Sequence, residues 1–398
     1  MRPLFLAALL AMAVPAFAQE PARGDEQPPA IVVTGVRIQD FRDALARCLA
    51  RRCPPNEDAD ATLALAEALF LDGGYHEARA ALQASLRRNH DQAATFPEPV
   101  SDLYRGHARL SRHLGEDMDA RRSTYGILSA LREGISEEDH RHFTARLEIS
   151  EMHMLSGNLA SARRELQQLV RIARGAGRED VATVAELRIL WFELLQDQQG
   201  RARQQLIQMA RETAPAQSMR ATGAKMLLAR LYRGEGQADR ADALLAEVAR
   251  SASAGTRRRL LVAPSYQLQI MDITSGGDNV DNPGFRSGNV LALQSDNFED
   301  KWIDVGFWVM PDGRVSALEI VRERNNNGWA RPLLESMRGR IYSQGPEPTY
   351  RLERYSYTAP YMAVTGTHIR RRSRAARVEY LDLSAGERAP GPPPAAEN

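Results

Sequence analysis

The chain has 398 residues, of which 43% are hydrophobic and 26% are charged, a composition typical of folded proteins with room for two domains. This composition excludes a wholly disordered chain. Lysine and arginine together number 52 and aspartate and glutamate 51, so the formal net charge of +1 creates no overall field that attracts nucleic acid or an anionic membrane. We therefore expect no nucleic-acid partner.

The first eighteen residues have the pattern of a secretory signal peptide. Arg2 provides the positive start, residues 4–14 form an apolar core, and the A-F-A motif at residues 16–18 is a cleavage site. The apolar core is too short for a membrane-spanning helix, which needs about 20 residues. We therefore expect residues 1–18 to be removed by cleavage after Ala18, export to the periplasm, and no stable membrane insertion.

Two cysteines, Cys48 and Cys53, stand five positions apart and are followed directly by Pro54 and Pro55. A helix that ends before the prolines and turns at its C-terminus can bring the two sulfur atoms together, and an exported protein meets an oxidising compartment. The alternative is a redox or metal-binding pair, but the spacing differs from C-x-x-C and no histidine lies nearby in sequence. We predict a structural disulfide between Cys48 and Cys53.

Helical periodicity extends over residues 38–254, after a polar, proline-rich segment at residues 19–37 that we interpret as a flexible mature N-terminus. Within the helical region a glycine-containing or polar turn precedes an alanine five times. The alanines are separated by 42, 42, 40 and 39 residues, and they are Ala78, Ala120, Ala162, Ala202 and Ala241. A fixed period of this size predicts a solenoid of about five stacked helical hairpins, whereas a non-repeating bundle would lack the period.

Two of the turns carry the motif G-x-[YL]-x-x-A, as Gly73, Tyr75 and Ala78 and as Gly157, Leu159 and Ala162. On this motif, residues 60–251 resemble the tetratricopeptide family. The units are close to 40 residues long where the family's unit has about 34, and the proline that usually closes each unit is missing. The resemblance implies a concave surface that binds peptides or proteins, with no catalytic chemistry attached.

A small α+β module is predicted at residues 289–383, after a linker at residues 255–288 and before a polar, proline-rich tail at residues 384–398 that we expect to be disordered. Alternating apolar positions and turn residues define its elements. In chain order, these are strands at residues 303–309 and 315–321, a helix at residues 329–340, and strands at residues 350–357 and 378–383.

The segment V-x-F-x-V-x-x-D-G-x-V is the most specific part of the module, and it consists of Val305, Phe307, Val309, Asp312, Gly313 and Val315. With the helix and strand that follow, it resembles the C-terminal domain of TonB-family energy transducers over residues 300–361. Arg340, Tyr342 and Pro346 only loosely fill the place of the family's tryptophan–aromatic–proline signature. A transducer also keeps a membrane anchor, which this chain is expected to lose.

Outer-membrane TonB-dependent receptors carry a segment similar to I-V-V-T-G near their mature N-terminus, and the transducer domain captures that segment by strand addition. The corresponding candidate partner-binding residues here are Ile31, Val32, Val33, Thr34 and Gly35. The alternative is a strand that packs on this protein's own repeats or sheet.

The sequence contains no H-E-x-x-H, G-x-S-x-G or Walker motif. The S-E-E-D segment at residues 136–139 is typical of a helix capping box. His140 and His142 follow it, and on a helix their side chains diverge by about 200°, so they cannot share a metal ion. We expect a solvated, capped helix start there, with no bound metal or cofactor.

Two basic runs, at residues 257–259 and 370–372, with Arg374 and Arg377 close to the second, are interpreted as solvated strand edges that resist aggregation. The tryptophans of the C-terminal region are expected to form the core and rim of the small module. They are Trp302, Trp308 and Trp329.

These patterns predict a mainly α protein, a helical-hairpin solenoid followed by a small α+β module. We expect a non-enzymatic periplasmic scaffold whose groove and module bind protein partners, among them components of the TonB system. One alternative is a membrane-anchored TonB-type energy transducer with an uncleaved signal. Another is an enzyme accessory or hydrolase acting on envelope polymers, for which the sequence offers no nucleophile–base motif. The oligomeric state is not predicted.

Overall fold

A computed structural model describes residues 35–196, 199–214, 218–251, 258–264, 266, 301–325, 327–363, 370–372 and 376–384. The expected signal peptide lies outside the described residues, as do residues 31–34 of the candidate partner-binding segment, most of the 255–288 linker and residues 385–398. Gly35 is the first residue of the first helix.

The described helical region consists of one helix followed by five helical hairpins, which confirms the predicted arrangement of paired helices. Each helix packs against the next one along the chain. The helices are α1 (Gly35–Ala50), α2 (Pro55–Asp72), α3 (Tyr75–Asn89), α4 (Pro97–His113), α5 (Asp117–Gly134), α6 (His140–Leu155), α7 (Leu159–Gly175), α8 (Glu179–Leu195), α9 (Gln199–Ala210), α10 (Ser218–Gly234) and α11 (Ala238–Ser251).

The five repeat alanines occupy the same place in every hairpin, the fourth residue of its second helix. Their exposed fraction is at most 3%, because each one faces the contact with a neighbouring helix. Four of the hairpin turns contain a glycine with positive φ, between 73° and 85°, and these are Gly73, Gly115, Gly157 and Gly236. Glycine adopts this left-handed conformation without the steric cost that a Cβ atom brings.

The predicted disulfide lies at the end of the first helix. After α1 the chain turns through Arg52, whose φ of 54° is left-handed, and the Cys53 N–H donates a hydrogen bond to the Cys48 carbonyl. The two sulfur atoms are bonded, with their Cα atoms 5.1 Å apart. The bond fastens the end of α1 to the turn that leads into α2.

The C-terminal elements form a small antiparallel sheet with a helix on one face. They are β1 (Leu260–Val262), β2 (Trp302–Val309), β3 (Val315–Arg324), α12 (Arg331–Arg338), β4 (Ile341–Tyr342), β5 (Thr349–Thr358), β6 (Tyr361–Ala363), β7 (Arg370–Arg372) and β8 (Arg377–Asp382). The main sheet has the strand order β3-β2-β5-β8, while β1 pairs with β4 and β6 with β7. Hairpin, helix and later strands thus follow in the predicted order, but β1 forms inside the predicted linker.

One face of the main sheet packs against α12 and forms the core of the module. Val305 and Phe307 of β2 are fully buried there against Leu333 and Met337 of α12. Alternation along β2 predicts an exposed opposite face, yet nearly every residue of β2 is buried. The opposite face is covered because it rests on the helical hairpins.

Three expectations are corrected by the structure. The N-terminal cap of α6 is Asp139, whose carboxylate accepts the Arg141 N–H, so the 136–139 segment is not a capping box led by Ser136. His142 is 1% exposed rather than solvated, and its Nε2 lies 3.1 Å from the Ile135 carbonyl oxygen. Trp302 belongs to the apolar core of the first hairpins, not to that of the module.

In the part of the chain that the structure describes, none of the helices has the combination of length and apolar character needed to cross a bilayer.

Candidate interaction surfaces

The sheet is held on the first hairpin by a buried ion pair. Asp304 of β2 and Arg354 of β5 are directly opposed across the strands, both 0% exposed, with guanidinium–carboxylate distances of 2.6 and 2.8 Å. Arg354 also donates hydrogen bonds to the carbonyls of Phe70 and Leu71, in the last turn of α2. Its guanidinium lies 3.8 Å from the centre of a Trp302 ring.

This arrangement compensates the cost of burying a charge. The last carbonyls of a helix have no partner within the helix and carry a partial negative charge, so a cation there satisfies both needs. Asp304 and the α2 carbonyls together raise the pKa of Arg354 although burial lowers it. The guanidinium therefore stays charged and joins the sheet to α2.

A polar cluster continues the contact beside the ion pair. The Ser356 hydroxyl lies 2.9 Å from His113 Nδ1 and 3.4 Å from the Tyr75 hydroxyl, and all three side chains are buried. Burial lowers the pKa of His113 to about 3, and the nearby Arg112 and Arg354 lower it further against the opposing effect of Glu379. The imidazole is therefore neutral in the folded protein.

The second hairpin is held by an arginine of β8. Arg377 forms an ion pair with Asp117, at 2.6 Å, and another with Glu379, at 2.7 Å, and donates a hydrogen bond to the Arg112 carbonyl at the end of α4. Arg112 itself pairs with Glu379 at 2.8 Å. Arg377 was expected at a solvated strand edge, and the structure places it instead in the contact with α4 and α5.

The β6–β7 pair contacts the turn of the same hairpin. Tyr361 donates its N–H to the Gly115 carbonyl at 3.0 Å, and the Arg372 guanidinium donates to the carbonyls of Leu114 and Ala359 at 2.8 Å. A Cβ atom at Gly115 would lie 2.1 Å from the Ala359 oxygen, so only glycine fits there. The second basic run thus also contributes a contact residue, rather than a solvated edge.

At the other end of the array, β1 joins the last hairpin to the module. Adjacent side chains of a strand point to opposite faces. Accordingly Leu260 packs against the module core and Leu261 packs with Ala241 and Leu245 of α11. Arg258, from the first basic run, is 5% exposed and donates to the Ser343 carbonyl at 3.0 Å, so it too is not solvated. The module therefore contacts the first two hairpins and the last one.

The first helices of the hairpins share a row of charged and aromatic side chains, which we call the first-helix row. It contains Arg105, Arg112, Glu148, Glu151, Arg188, Trp191 and Arg230. Arg105 pairs with Glu148 at 2.9 Å and Arg112 lies 3.9 Å from Glu151, which joins α4 to α6. On α10, Arg230 lies 5.0 Å from the centre of the Trp191 ring of α8.

The two arginines at the C-terminal end of this row are the most desolvated. Burial lowers the pKa of Arg188, with Glu151 opposing, and burial lowers the pKa of Arg230. A guanidinium beside an indole ring gives both cation–π and hydrogen-bonding contacts. The row is therefore a surface suited to bind polar and aromatic side chains of a partner.

Histidine–hydroxyl pairs occur at two buried positions. His107 Nδ1 lies 2.8 Å from the Ser123 hydroxyl, and His113 lies beside Ser356. Ser123 is 4% exposed and Ser356 2% exposed, so neither hydroxyl can meet a substrate in this conformation. Among the described residues, no group of three histidine, cysteine or acidic side chains is placed to hold a metal ion.

The sheet has two outer strands for the strand addition that the sequence predicts. The inner edge of β5 is already paired with β8 of the same chain. On the other side, β3 has an irregular register and a left-handed Ala317, with φ 48°. Bulges and charged residues of this kind oppose pairing with a further strand.

The sequence analysis missed the residues that hold the module on the helices, above all Asp304 and Arg354. The one available signal was two opposite charges in strands that were otherwise apolar and aromatic. Of the predicted sites, the disulfide lies 20 residues or more from these contacts in sequence, and residues 31–34 cannot be placed relative to them because they lie outside the described residues.

Known proteins offer distant structural similarity. A putative kinesin light chain from Podosopora anserina, with nearly identical TPR-like repeats, is 18% identical, covers 49% of this chain and 94% of its own length, and gives a TM-score of 0.38. BtubC (BKLC) from P. vanneervenii is 16% identical, covers 59% of this chain and 100% of its own length, and gives a TM-score of 0.41. No family model and no curated protein matches the sequence.

Proposed function

We propose that the protein is a non-enzymatic scaffold of the periplasm, exported through a signal peptide that is cleaved after Ala18. In this proposal the helical hairpins bind a protein partner through the first-helix row. The observation that carries the proposal is the way in which the module contacts the hairpins. Its contacts are with the turns and helix ends of the first two hairpins, where Arg354 and Arg377 bind carbonyl groups.

We further propose that residues 31–35 dock by strand addition to a TonB-type domain of another protein, which would link the scaffold to TonB-dependent transport. The support is the I-V-V-T-G segment and the order of hairpin, helix and strand in the module. A partner strand gains affinity from backbone hydrogen bonds and selectivity from alternate side chains.

Affinity capture from the protein's own envelope extract tests both parts of the proposal. The mature chain and a form lacking residues 19–34 are compared, with mass spectrometry of the proteins that co-elute. A TonB-type protein recovered only with the mature chain is expected. Equal recovery with both forms would remove the docking role of residues 31–35, and recovery of no protein by either form would contradict the scaffold function.

Two variants locate the groove. Arg188→Glu together with Arg230→Glu changes the first-helix row, while Arg171→Glu with Arg211→Glu places the same charges on exposed positions elsewhere on the helices. Loss of a partner with the first pair alone is the expected result. Intact mass of the exported protein tests cleavage, and a chain that retains residues 1–18 would favour the membrane-anchored alternative.

A further inference from the structure

Three large hydrophobic side chains lie together on the outer surface of the second and third hairpins. Met118, Tyr125 and Leu155 are 60%, 41% and 40% exposed, and they are three of seven such residues in the described chain. Met118 and Tyr125 are seven positions apart on α5 and so share one face of that helix. Leu155 ends α6, which packs against α5.

A contact between the two helices fixes the middle of this group. The Tyr125 hydroxyl lies 2.8 Å from His153 Nε2, and their rings meet edge to face with centres 6.0 Å apart. We call Met118, Tyr125, His153 and Leu155 the α5–α6 patch. Exposed hydrophobic side chains that cluster in this way are typical of protein interaction sites, whereas single ones are common on any surface.

Two arginines border the patch. Arg121 lies on the same face of α5 as Met118 and Tyr125, and Arg164 lies on α7; both are exposed. The pKa of His153 is lowered by burial and then by the positive charges of Arg121 and Arg164, which therefore lie close to its ring.

These arginines are not neutralised by the chain, in contrast to the acidic residues around them. Arg164 donates to the Ser161 hydroxyl, and neither Arg164 nor Arg121 has an ion pair among the described residues. The neighbouring carboxylates already have partners: Asp119 pairs with Arg79 and Arg122, and Glu165 pairs with Arg146. The patch therefore presents apolar side chains together with positive charge.

The patch also continues the contact surface of the module. Asp117, which binds Arg377 of β8, directly precedes Met118. The turn of the second hairpin is covered at Gly115, whereas a Cβ atom at Gly157 in the next turn would meet nothing within 4 Å. The covered surface thus ends where the patch begins.

We propose that the α5–α6 patch is a docking surface for an acidic peptide segment of a partner protein, with apolar side chains spaced between its carboxylates. The apolar side chains pack on Met118, Tyr125 and Leu155, and the carboxylates pair with Arg121 and Arg164. This proposal rests on the scaffold function and adds to it the chemical class of one partner.

Selection of a phage-displayed library of random twelve-residue peptides on the immobilised mature chain tests the proposal. Peptides that combine aspartate or glutamate with leucine, isoleucine or phenylalanine are expected to be enriched. The consensus peptide, labelled with fluorescein, should bind Arg121→Glu/Arg164→Glu about tenfold more weakly than wild type, because two attractive pairs become repulsive. Selection on that variant should instead enrich lysine and arginine.

Further variants separate the patch from general charge effects. Arg171→Glu/Arg211→Glu makes the same change at exposed arginines outside the patch and should retain wild-type affinity. Met118→Ser/Leu155→Ser keeps all charges and should also weaken binding, with circular dichroism confirming the fold of each variant.

Three results would overturn the proposal: no acidic enrichment, equal weakening by the control pair, or binding of phosphatidylglycerol vesicles through Arg121 and Arg164 in place of the peptide. Envelope partners that are captured equally by wild type and by Arg121→Glu/Arg164→Glu would leave the scaffold function standing while removing this site.

Discussion

Single buried side chains determine how the module is attached. Asp304 and Arg354 are both fully buried, and each costs free energy to remove from water. The pair is tolerated because the guanidinium finds acceptors on Asp304 and on α2, and Asp304 accepts a further hydrogen bond from Arg322 at 2.8 Å. A buried pair of this kind requires one geometry, so it specifies a single docked position for the sheet.

Two buried histidines make the stability of the fold depend on pH. Burial lowers the pKa of His113 to about 3 and of His107 to about 4, against 6.5 in the unfolded chain. Below pH 6.5 the unfolded chain binds protons that the folded chain does not. We therefore expect the free energy of unfolding to decrease by about 1.4 kcal/mol per pH unit for each histidine as the pH falls from 6.5 towards 4.

Urea unfolding at several pH values measures this slope. His113→Gln and His107→Gln should each flatten it, while His140→Gln, at an exposed position, should retain the wild-type dependence. A slope that is unchanged in both buried variants would show that other groups control the acid sensitivity.

At the residue scale, sequence patterns could identify the buried alanines but not the buried charges. Ala78 and its four counterparts recur with a fixed period, so stacking follows from their small size and spacing. Asp304 and Arg354 occupy the face of the sheet that alternation assigns to water. Only the position of α2 decides that this face is covered, and no local pattern contains that information.

Hairpin turns are the elements through which the module recognises the helices. Gly115 and Gly157 have nearly the same φ, 73° and 74°, but only Gly115 lies under the β6–β7 pair. A change to alanine costs about 1–2 kcal/mol at either position because of the left-handed backbone. At Gly115 the new Cβ atom would in addition collide with the Ala359 carbonyl.

We therefore expect Gly115→Ala to destabilise the protein more than Gly157→Ala, and to release the β6–β7 pair. Hydrogen exchange of the Tyr361 amide, which donates to the Gly115 carbonyl, should accelerate in Gly115→Ala alone. Equal exchange rates and equal unfolding energies in the two variants would contradict the covered turn.

The basic runs show why some element contacts were not predictable. Arg258, Arg372 and Arg377 were expected in solvent, yet each donates to backbone carbonyls. Every helix end and loop offers such carbonyls whatever its sequence. A search for complementary acidic residues therefore could not find the main partners of these arginines.

At the scale of the whole molecule, the module joins the two ends of the helical array. It contacts the first two hairpins through β5 to β8 and the last hairpin through β1. Arg354→Met should break the first contact, lower the free energy of unfolding by about 3–5 kcal/mol, and leave the array held at one end. Arg314→Met, which removes an exposed ion pair with Asp312, should have little effect.

Spin labels on cysteines introduced at Arg87 and Asp239, two exposed positions on α3 and α11, report the distance between the ends. Pulsed dipolar spectroscopy should give one narrow distribution for the wild type and for Arg314→Met, and a broad one for Arg354→Met. Three equal distributions would show that the ends stay in place without the module.

The two adjacent leucines of β1 have a further consequence for unfolding. In an open array of repeats, the terminal units have one neighbour each, and they fray first. Leu261 in the last hairpin and Leu260 in the module give the terminal unit a second neighbour, which is itself attached to the first hairpin. The chain therefore has no free end at which unfolding can begin at low cost, so its hairpins should unfold together rather than one after another.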